Sequence, residues 1–591
     1  MEMACDEPAL SRARGVARPE RQNRYNQMVV MMVNESLTGI AALLSERTSP
    51  AEQVWAAAER RLDKPLSDGL NTAHEACERW AGDSSRLAII VRSPDGASKR
   101  WTFADLAHAS SRLATAWRAA GIKRGDRVAA VLGQQIEAYI CALAAWRSGI
   151  IYMPLFTGFA SEALAQRING ADVSAVIVDH QHRTTLEQAR ALLAGDPPVY
   201  TVAGAGAHGV WPGDRNLWDE IDKHAADTEI IVTSPHDPAT LIYTSGTTGA
   251  PKGVVMPHSV VLALQPFVRH VYALAPSDLL FSGASPGWGY GLYTTGFAVM
   301  ALGIPRVIYT GSFDPEAWLR VIDEEKATYI TAAPSAYRRL VQSARESGSA
   351  VSVRGASSAG EPQDVPLAVA WHELTGVSMQ DSYGQTESGM VLADLAFDDR
   401  RDVEPRPGAI SSTVPGYEIG LVDADGNVQD DEGIIAVRRS PYHSSIGFWN
   451  AQDLWERRWK NDWFLTGDRA RRDDDGQWRF VGRDDDLIVT SGYNVGPTEV
   501  ENIVLEHPGV ADGAVVAAPD PKRGSVVRAV LVATGTVSED QITAEVTDWV
   551  RTRLGRHAAP KIVDFVDEMP RTETGKIRRN VLREQIVAGS D

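Results

Sequence analysis

From Trp101 onward the apolar positions fall into a regular pattern. Phe103, Leu106, Leu113 and Trp117 recur at helical spacing as far as Gly121, and Thr102 with Asp105 offers a capping box at the start. The run Val128 to Leu132 has the length and composition of a strand. A second helical segment over Gln134 to Ser148 stops at Gly149, and Ile150 to Pro154 reads as the next strand. Further strand-like runs, Ala175 to Val178 and Arg306 to Tyr309, alternate with amphipathic segments such as Pro315 to Glu325 and Ser335 to Ser343. Buried strands alternating with helices predict an α/β fold with largely parallel sheets.

Beyond about residue 400 the texture changes. Clusters of glycine, aspartate and tryptophan, with short alternating runs such as Gly433 to Arg438, predict a β-rich subdomain. Acidic runs, Asp473 to Asp475 and Asp484 to Asp486, bracket the strand-like QWRFVG, which places a domain junction near Asp485. The expected organisation is a disordered leader over 1–34, a large N-terminal domain over 35–484 and a small α+β domain over 485–591.

Composition narrows the classes of function. A chain of 591 residues is too long for one core. Apolar content of 44% and charged content of 23% are those of a soluble globular protein. A formal net charge of −18 argues against a general nucleic-acid or membrane-surface binder, since both partners are polyanions. Cys5, Cys77 and Cys141 are widely separated and lack CxxC spacing, so a reducing, cytoplasmic setting is expected. No apolar run approaches the ~18 residues of a membrane span. At the N-terminus, Arg12, Arg14, Arg18, Arg21 and Arg24 precede the run Met28 to Val33, which is too short for a signal-peptide core. Glu2, Asp6, Glu7 and Glu20 speak against a transit peptide, and Met28, Met31 and Met32 are alternative starts.

The chemistry centres on Tyr243 to Gly253, YTSGTTGAPKG. Its glycines let backbone N–H groups turn toward an anion, its hydroxyls add uncharged donors, and Lys252 adds a mobile positive charge. The stretch is not a Walker A loop, because Lys252 lies between Pro251 and Gly253. Two other motifs fail on context. Gly204, Gly206 and Gly209 match GxGxxG, but Pro212 and Gly213 break the helix that motif should open. Gly283, Ser285 and Gly287 match GxSxG, yet the donor after the nucleophile would be Pro286, which has no N–H. The histidines show no metal-ligand spacing.

Five further stretches complete the set. SYGQTESG, Ser382 to Gly389, combines an aromatic face (Tyr383), a hydroxyl (Thr386) and a carboxylate (Glu387) that could stack a base, bond a phosphate and hold magnesium. Gly360, Glu361 and Pro362 end a strand-to-loop transition, and Thr466, Gly467 and Asp468 bring an aspartate able to grip two ribose hydroxyls. Gly482, Arg483 and Asp485 lead into SGYNVGPTEVE at the proposed junction. PRTETGKIR, Pro570 to Arg578, carries Lys576, while Arg578, Arg579 and Arg583 read as a solvated face.

In this order and at these separations the stretches resemble the AMP-forming adenylating superfamily of acyl-CoA synthetases, peptide-synthetase adenylation domains and luciferases. The resemblance runs from about Asn71 to the C-terminus. The wording SGYNVGPTEVE, AGEP and YGQTE is most similar to the acetyl-CoA and medium-chain acyl-CoA synthetase branch. It implies a ligase that joins a carboxylate to the α-phosphate of ATP and then passes the acyl group to CoA, with magnesium as the metal. Catalysis would rest on positioning and electrostatics.

Carried over by motif, Thr244, Ser245, Gly246, Thr247, Thr248 and Lys252 would meet the triphosphate. Gly360, Glu361, Pro362 and Tyr383 would surround the adenine, Asp381 and Ser382 would belong to the same ATP/AMP-binding set, and Asp468 and Arg483 would meet the ribose. Thr386 would meet the α-phosphate and Glu387 the magnesium ion. Lys576 would bridge carboxylate and α-phosphate in adenylation. The acyl group would lie against Trp288 and Gly289, with Ser357 and Ala359 on the floor. Asp485 matches a hinge about which the small domain swings, and Gly492 marks the loop then presented to CoA. Asn494 departs from the arginine usual in that branch, which keeps open an adenylating enzyme whose acceptor is an acyl carrier protein or a separate transferase. A sensor without catalysis is the third alternative, and a homodimer is left open.

Overall fold

The computed structural model describes residues 43–203, 211–227, 229–244, 251–361, 363–396, 408–484, 486, 488–490, 493–520, 524–571 and 577–587. The leader, the GxGxxG stretch, Ser245, Gly246, Thr247, Thr248, Pro362, Asp485, Gly492 and Lys576 lie outside them.

Local sequence accounts for the element boundaries. The helix Phe103–Ala119 begins where Asp105 N–H donates to Thr102 Oγ1 at 3.1 Å while Thr102 N–H donates to Asp105 Oδ2 at 2.8 Å, so the capping box forms. Its stripe of Phe103, Leu106, Leu113 and Trp117 is buried. The next helix, Ile136–Arg147, starts two residues later than the pattern suggested and is buried around its whole circumference. Asp314 caps Pro315–Glu324 by accepting from Glu316 N–H at 3.0 Å and Ala317 N–H at 3.2 Å, with Pro315 at the first position, where its missing N–H costs nothing. Pro334–Ser347 ends at Gly348, whose φ of 68° supplies the left-handed turn.

These helices pack on two large sheets. One has eight strands, ordered Gly447–Phe448, Lys252–Pro257, Pro238–Thr244, Ile151–Leu155, Arg127–Val131, Ala175–Asp179, Val199–Val202, Arg215–Asn216. The run from Pro238–Thr244 to Arg215–Asn216 is parallel throughout. The other has nine strands and a parallel centre formed by Arg306–Tyr309, Leu280–Ser282, Tyr329–Ala332, Gly355–Ala359 and Met379–Gln385. The β-rich texture after residue 400 becomes an antiparallel sheet built on Glu432–Arg438 and Trp463–Arg472. The C-terminal stretch forms a five-stranded sheet carrying the helices Pro497–Val504 and Glu539–Leu554. The architecture is the expected one: parallel α/β sheets, a β-rich subdomain and a smaller α+β unit.

One expectation fails in detail. Arg578 is exposed as predicted, but Arg579 donates to both oxygens of Glu501 at 2.7 Å and Arg583 pairs with Asp486 at 2.9 Å. The basic run is therefore stitched into its own domain, because the helix Arg579–Val587 turns two of its arginines toward acidic neighbours.

Candidate active site

Parallel strands open their C-terminal ends on one edge of a sheet, and here that edge is a cleft. Leu280–Ser282, Tyr329–Ala332, Gly355–Ala359 and Met379–Gln385 are neighbours in the nine-stranded sheet. The residues leaving them include Trp288 and Gly289, Ala333 and Ser335, Gly360 and Glu361, and Thr386 and Glu387, and all line one cavity of about 1600 Å³. At Gly360 the chain takes φ 92°, a turn that favours glycine at this strand end.

The opposite wall comes from the hairpin of Pro238–Thr244 and Lys252–Pro257. Thr244 and Lys252 face each other in its register and so close the glycine-rich loop between them. Thr244 Oγ1 donates to Glu387 Oε1 at 3.3 Å, which joins the two motifs across the cleft. This pairing of hard oxygen donors suits magnesium, which keeps much of its coordination for water and substrate phosphates. Among the described residues no group of three or more His, Cys, Asp or Glu is placed to hold a metal ion.

A third wall is contributed by the antiparallel sheet. Asp468 and Arg483 are opposite each other on adjacent strands, with Arg483 Nη1 3.5 Å from Asp468 Oδ1. Asp468 Oδ2 accepts from Tyr383 Oη–H at 2.7 Å and from Gln385 Nε2–H at 2.6 Å. Burial, followed by the charge of Asp468, holds the Tyr383 phenol well above its usual range, so it stays a neutral donor. Glu361 accepts from Ser335 N–H at 3.1 Å and Ser335 Oγ–H at 3.2 Å, and Arg571 Nη1 comes within 3.7 Å of it.

Asp381 also lines the cavity, at the foot of Met379–Gln385. Its Oδ1 accepts from Ser382 N–H at 2.9 Å and Ser358 Oγ–H at 3.3 Å. Burial, and then the nearby Asp394, push its carboxyl up to about 7.

At the far end, Trp288 meets Phe156 at 5.8 Å and Phe159 at 6.2 Å between ring centroids, forming an aromatic wall. Tyr290 Oη lies 3.0 Å from Tyr272 Oη, and burial pushes its phenol up to about 12. Ala359 is on the wall, whereas Ser357 sits behind it, fully buried, 3.4 Å from Ser382 Oγ. Ser285 Oγ accepts from Gly287 N–H at 3.2 Å, so the GxSxG serine serves its own turn.

The sequence reading thus gathers Thr244, Lys252, Gly360, Glu361, Asp381, Ser382, Tyr383, Thr386, Glu387, Asp468, Arg483, Trp288, Gly289 and Ala359 at one cavity. It missed Gln385, Ser335, Arg571 and Arg458. Gln385 stands inside a motif that was read for its neighbours, and Arg458 is hidden in the charged run Glu456 to Arg458, which looks like solvated surface.

Residues 77–444 match the family model of the AMP-binding enzymes and residues 499–576 that of the AMP-binding enzyme C-terminal domain, and the chain belongs to this family of AMP-forming ligases. It is similar to the mouse mitochondrial acyl-coenzyme A synthetase ACSM4, at 29% identity across 90% of this chain and 94% of the relative. Similarity to the acetyl-coenzyme A synthetase of Bacillus subtilis is 30% across 90% of this chain and 93% of that one. Among solved structures, the anthranilate CoA ligase AuaEII in complex with anthranoyl-AMP superposes with a TM-score of 0.81 at 25% identity, covering 89% of this chain and 99% of the other. Among the described residues no helix is long and apolar enough to cross a membrane.

Proposed function

We propose that this ligase activates a hydrophobic carboxylic acid with ATP and transfers the acyl group to CoA. The observation that carries the proposal is the convergence, in one cavity, of phosphate-facing and sugar-facing groups with an aromatic wall. Thr244 and Glu387 meet across the cleft, Asp468 gathers Tyr383 and Gln385, and Trp288 packs against Phe156 and Phe159.

In this reading the hairpin loop with Ser245, Gly246, Thr247, Thr248 and Lys252 receives the triphosphate, and Glu387 with Thr244 holds magnesium, which would screen phosphate charge. Gly360, Glu361, Pro362, Asp381, Ser382 and Tyr383 enclose the adenine. Asp468 and Arg483 take the ribose, Thr386 the α-phosphate. The acid lies along Trp288, Gly289 and Ala359, with Ser357 supporting the wall from behind. Its carboxylate oxygen attacks the α-phosphorus and pyrophosphate leaves; the protein supplies alignment and positive potential while negative charge spreads over the phosphoryl oxygens. Lys576 is assigned to the attacking carboxylate and α-phosphate, because a flexible cation can follow charge as it builds between two oxygens. The domain 485–591 then pivots near Asp485 and brings Gly492 to the thiol side. A reducing, cytoplasmic setting accords with the buried, unpaired Cys77 and Cys141.

Pyrophosphate release measured over a panel of short, medium, aromatic and polycyclic acids tests the proposal. Release with one class of hydrophobic acid is expected, and no release with any acid would defeat it. Exchange of pyrophosphate without acyl-CoA would favour the carrier-protein acceptor that Asn494 keeps open.

A further inference from the structure

We infer that Arg458 is a phosphate-binding residue of the nucleotide site, placed to grip the α-phosphate of ATP and of the acyl-adenylate. The inference rests on the reading that this cavity takes ATP. Arg458 follows the helix Gln452–Glu456 and lines the cavity. Its stem is fixed: Nε donates to Leu465 O at 2.7 Å, the backbone N–H of Leu465 returns to Arg458 O at 2.8 Å, and the guanidinium stands 5.1 Å over the Phe464 ring. Nη2 then reaches to 4.0 Å from where a side chain on Gly467 would begin, and Arg483 Nη2 comes to 3.8 Å of the same point. Two guanidinium ends therefore converge beside the strand that carries Asp468.

The two differ in how they are paired. Arg483 has Asp468 at 3.5 Å, and Asp468 is already engaged by Tyr383 and Gln385. No carboxylate among the described residues is within ion-pair distance of Arg458. Burial disfavours its charged form, and of the charges nearby Glu387 and Asp468 attract it while Arg483 repels it. A mostly buried cation without a counter-ion is costly unless an anion joins it. The terminal nitrogens on a planar fork match phosphate oxygens in a way a lysine would not. Both Glu387, assigned to the polyphosphate side, and Asp468, assigned to the ribose side, act on its charge, which selects the phosphate nearest the sugar.

Calorimetric binding of AMP and of adenosine to the full chain tests this. Arg458→Gln is expected to weaken AMP at least tenfold while changing adenosine less than twofold, with Arg458→Lys intermediate. The melting temperatures of the two unliganded variants should fall only slightly and by similar amounts, because both lose the Nε–H bond to Leu465 O and the Phe464 contact but neither loses an ion pair, whereas AMP affinity separates them, which distinguishes ligand contact from a structural role. An unchanged AMP-to-adenosine ratio in Arg458→Gln, with AMP still bound by the parent, would overturn the role of Arg458 alone. A parent that binds neither AMP nor ATP would overturn the nucleotide site and this assignment with it.

Discussion

Arg571 lies 3.7 Å from Glu361 and 2.6 Å from Asp512, so it ties the loop after Gly355–Ala359 to the C-terminal sheet. Glu361 is on the wall assigned to the adenine, and Arg571 precedes the stretch that carries Lys576. In the proposed reading this contact would hold the small domain against the nucleotide site in the arrangement for adenylation. A partly exposed ion pair of this kind is worth about 0.5–1 kcal/mol. Arg571→Gln should slow pyrophosphate release about two- to fivefold and leave acyl transfer from supplied acyl-adenylate within twofold of the parent. Equal loss in the two half-reactions, each measured separately, would contradict the closure role.

The contact between Thr244 and Glu387 makes a prediction about magnesium. Glu387→Gln keeps the shape but removes the charge, so half-maximal pyrophosphate release should require roughly tenfold more Mg2+. Thr244→Val removes one hydroxyl and should raise the KM for ATP a few-fold, as expected for a net hydrogen-bond contribution of about 1 kcal/mol. Titrating each variant with Mg2+ at fixed ATP distinguishes the two effects.

Asp381 predicts a pH dependence of stability. Its carboxyl is raised to about 7 in the folded state, above the ordinary value near 3.8, so the native state holds an extra proton between those limits. Stability is therefore lost as pH rises through that window and the charge becomes trapped in a buried site. Asp381→Asn keeps an oxygen for Ser382 and Ser358 but cannot ionise. Relative to the parent, its melting temperature should rise by about 2 °C or more between pH 5 and pH 8. Parallel pH profiles for parent and variant would refute the assignment.

In the proposed reading Gly289 would set the width of the passage between acid and α-phosphate. A side chain there would start 3.6 Å from Ile242 Cδ1 and 3.7 Å from Thr386, and the backbone is helical, so the fold can accept one. Gly289→Val should raise the KM for the preferred acid by roughly tenfold and that for ATP much less, because the added methyl groups occupy the acid's path. A rise confined to ATP would place the acid elsewhere.

Much of this was legible in the chain because it is encoded locally. The box at Thr102 and Asp105, the cap at Asp314 and the alternation of buried strands each depend on residues a few positions apart. The motifs likewise announced Thr244, Tyr383, Glu387 and Asp468. What sequence could not supply were relationships between distant segments. Arg571 finds Glu361 across 210 positions, and Arg458 gains its meaning only when the Trp463–Arg472 strand folds back beside Met379–Gln385. Ser357 illustrates the reverse limit: two positions before Ala359 it shares that residue's face of the strand, yet it lies one step deeper, its hydroxyl 3.4 Å from Ser382 Oγ and its carbonyl accepting from Tyr337 Oη–H at 3.1 Å.

The most direct measurement is to incubate the enzyme with ATP, Mg2+ and a hydrophobic acid, with and without CoA, and to identify the products by mass spectrometry. Acyl-adenylate and pyrophosphate are expected without CoA, and acyl-CoA with AMP at an increased rate when CoA is present. Absence of any adenylate with every class of acid, or adenylate that CoA never consumes, would contradict the proposed function.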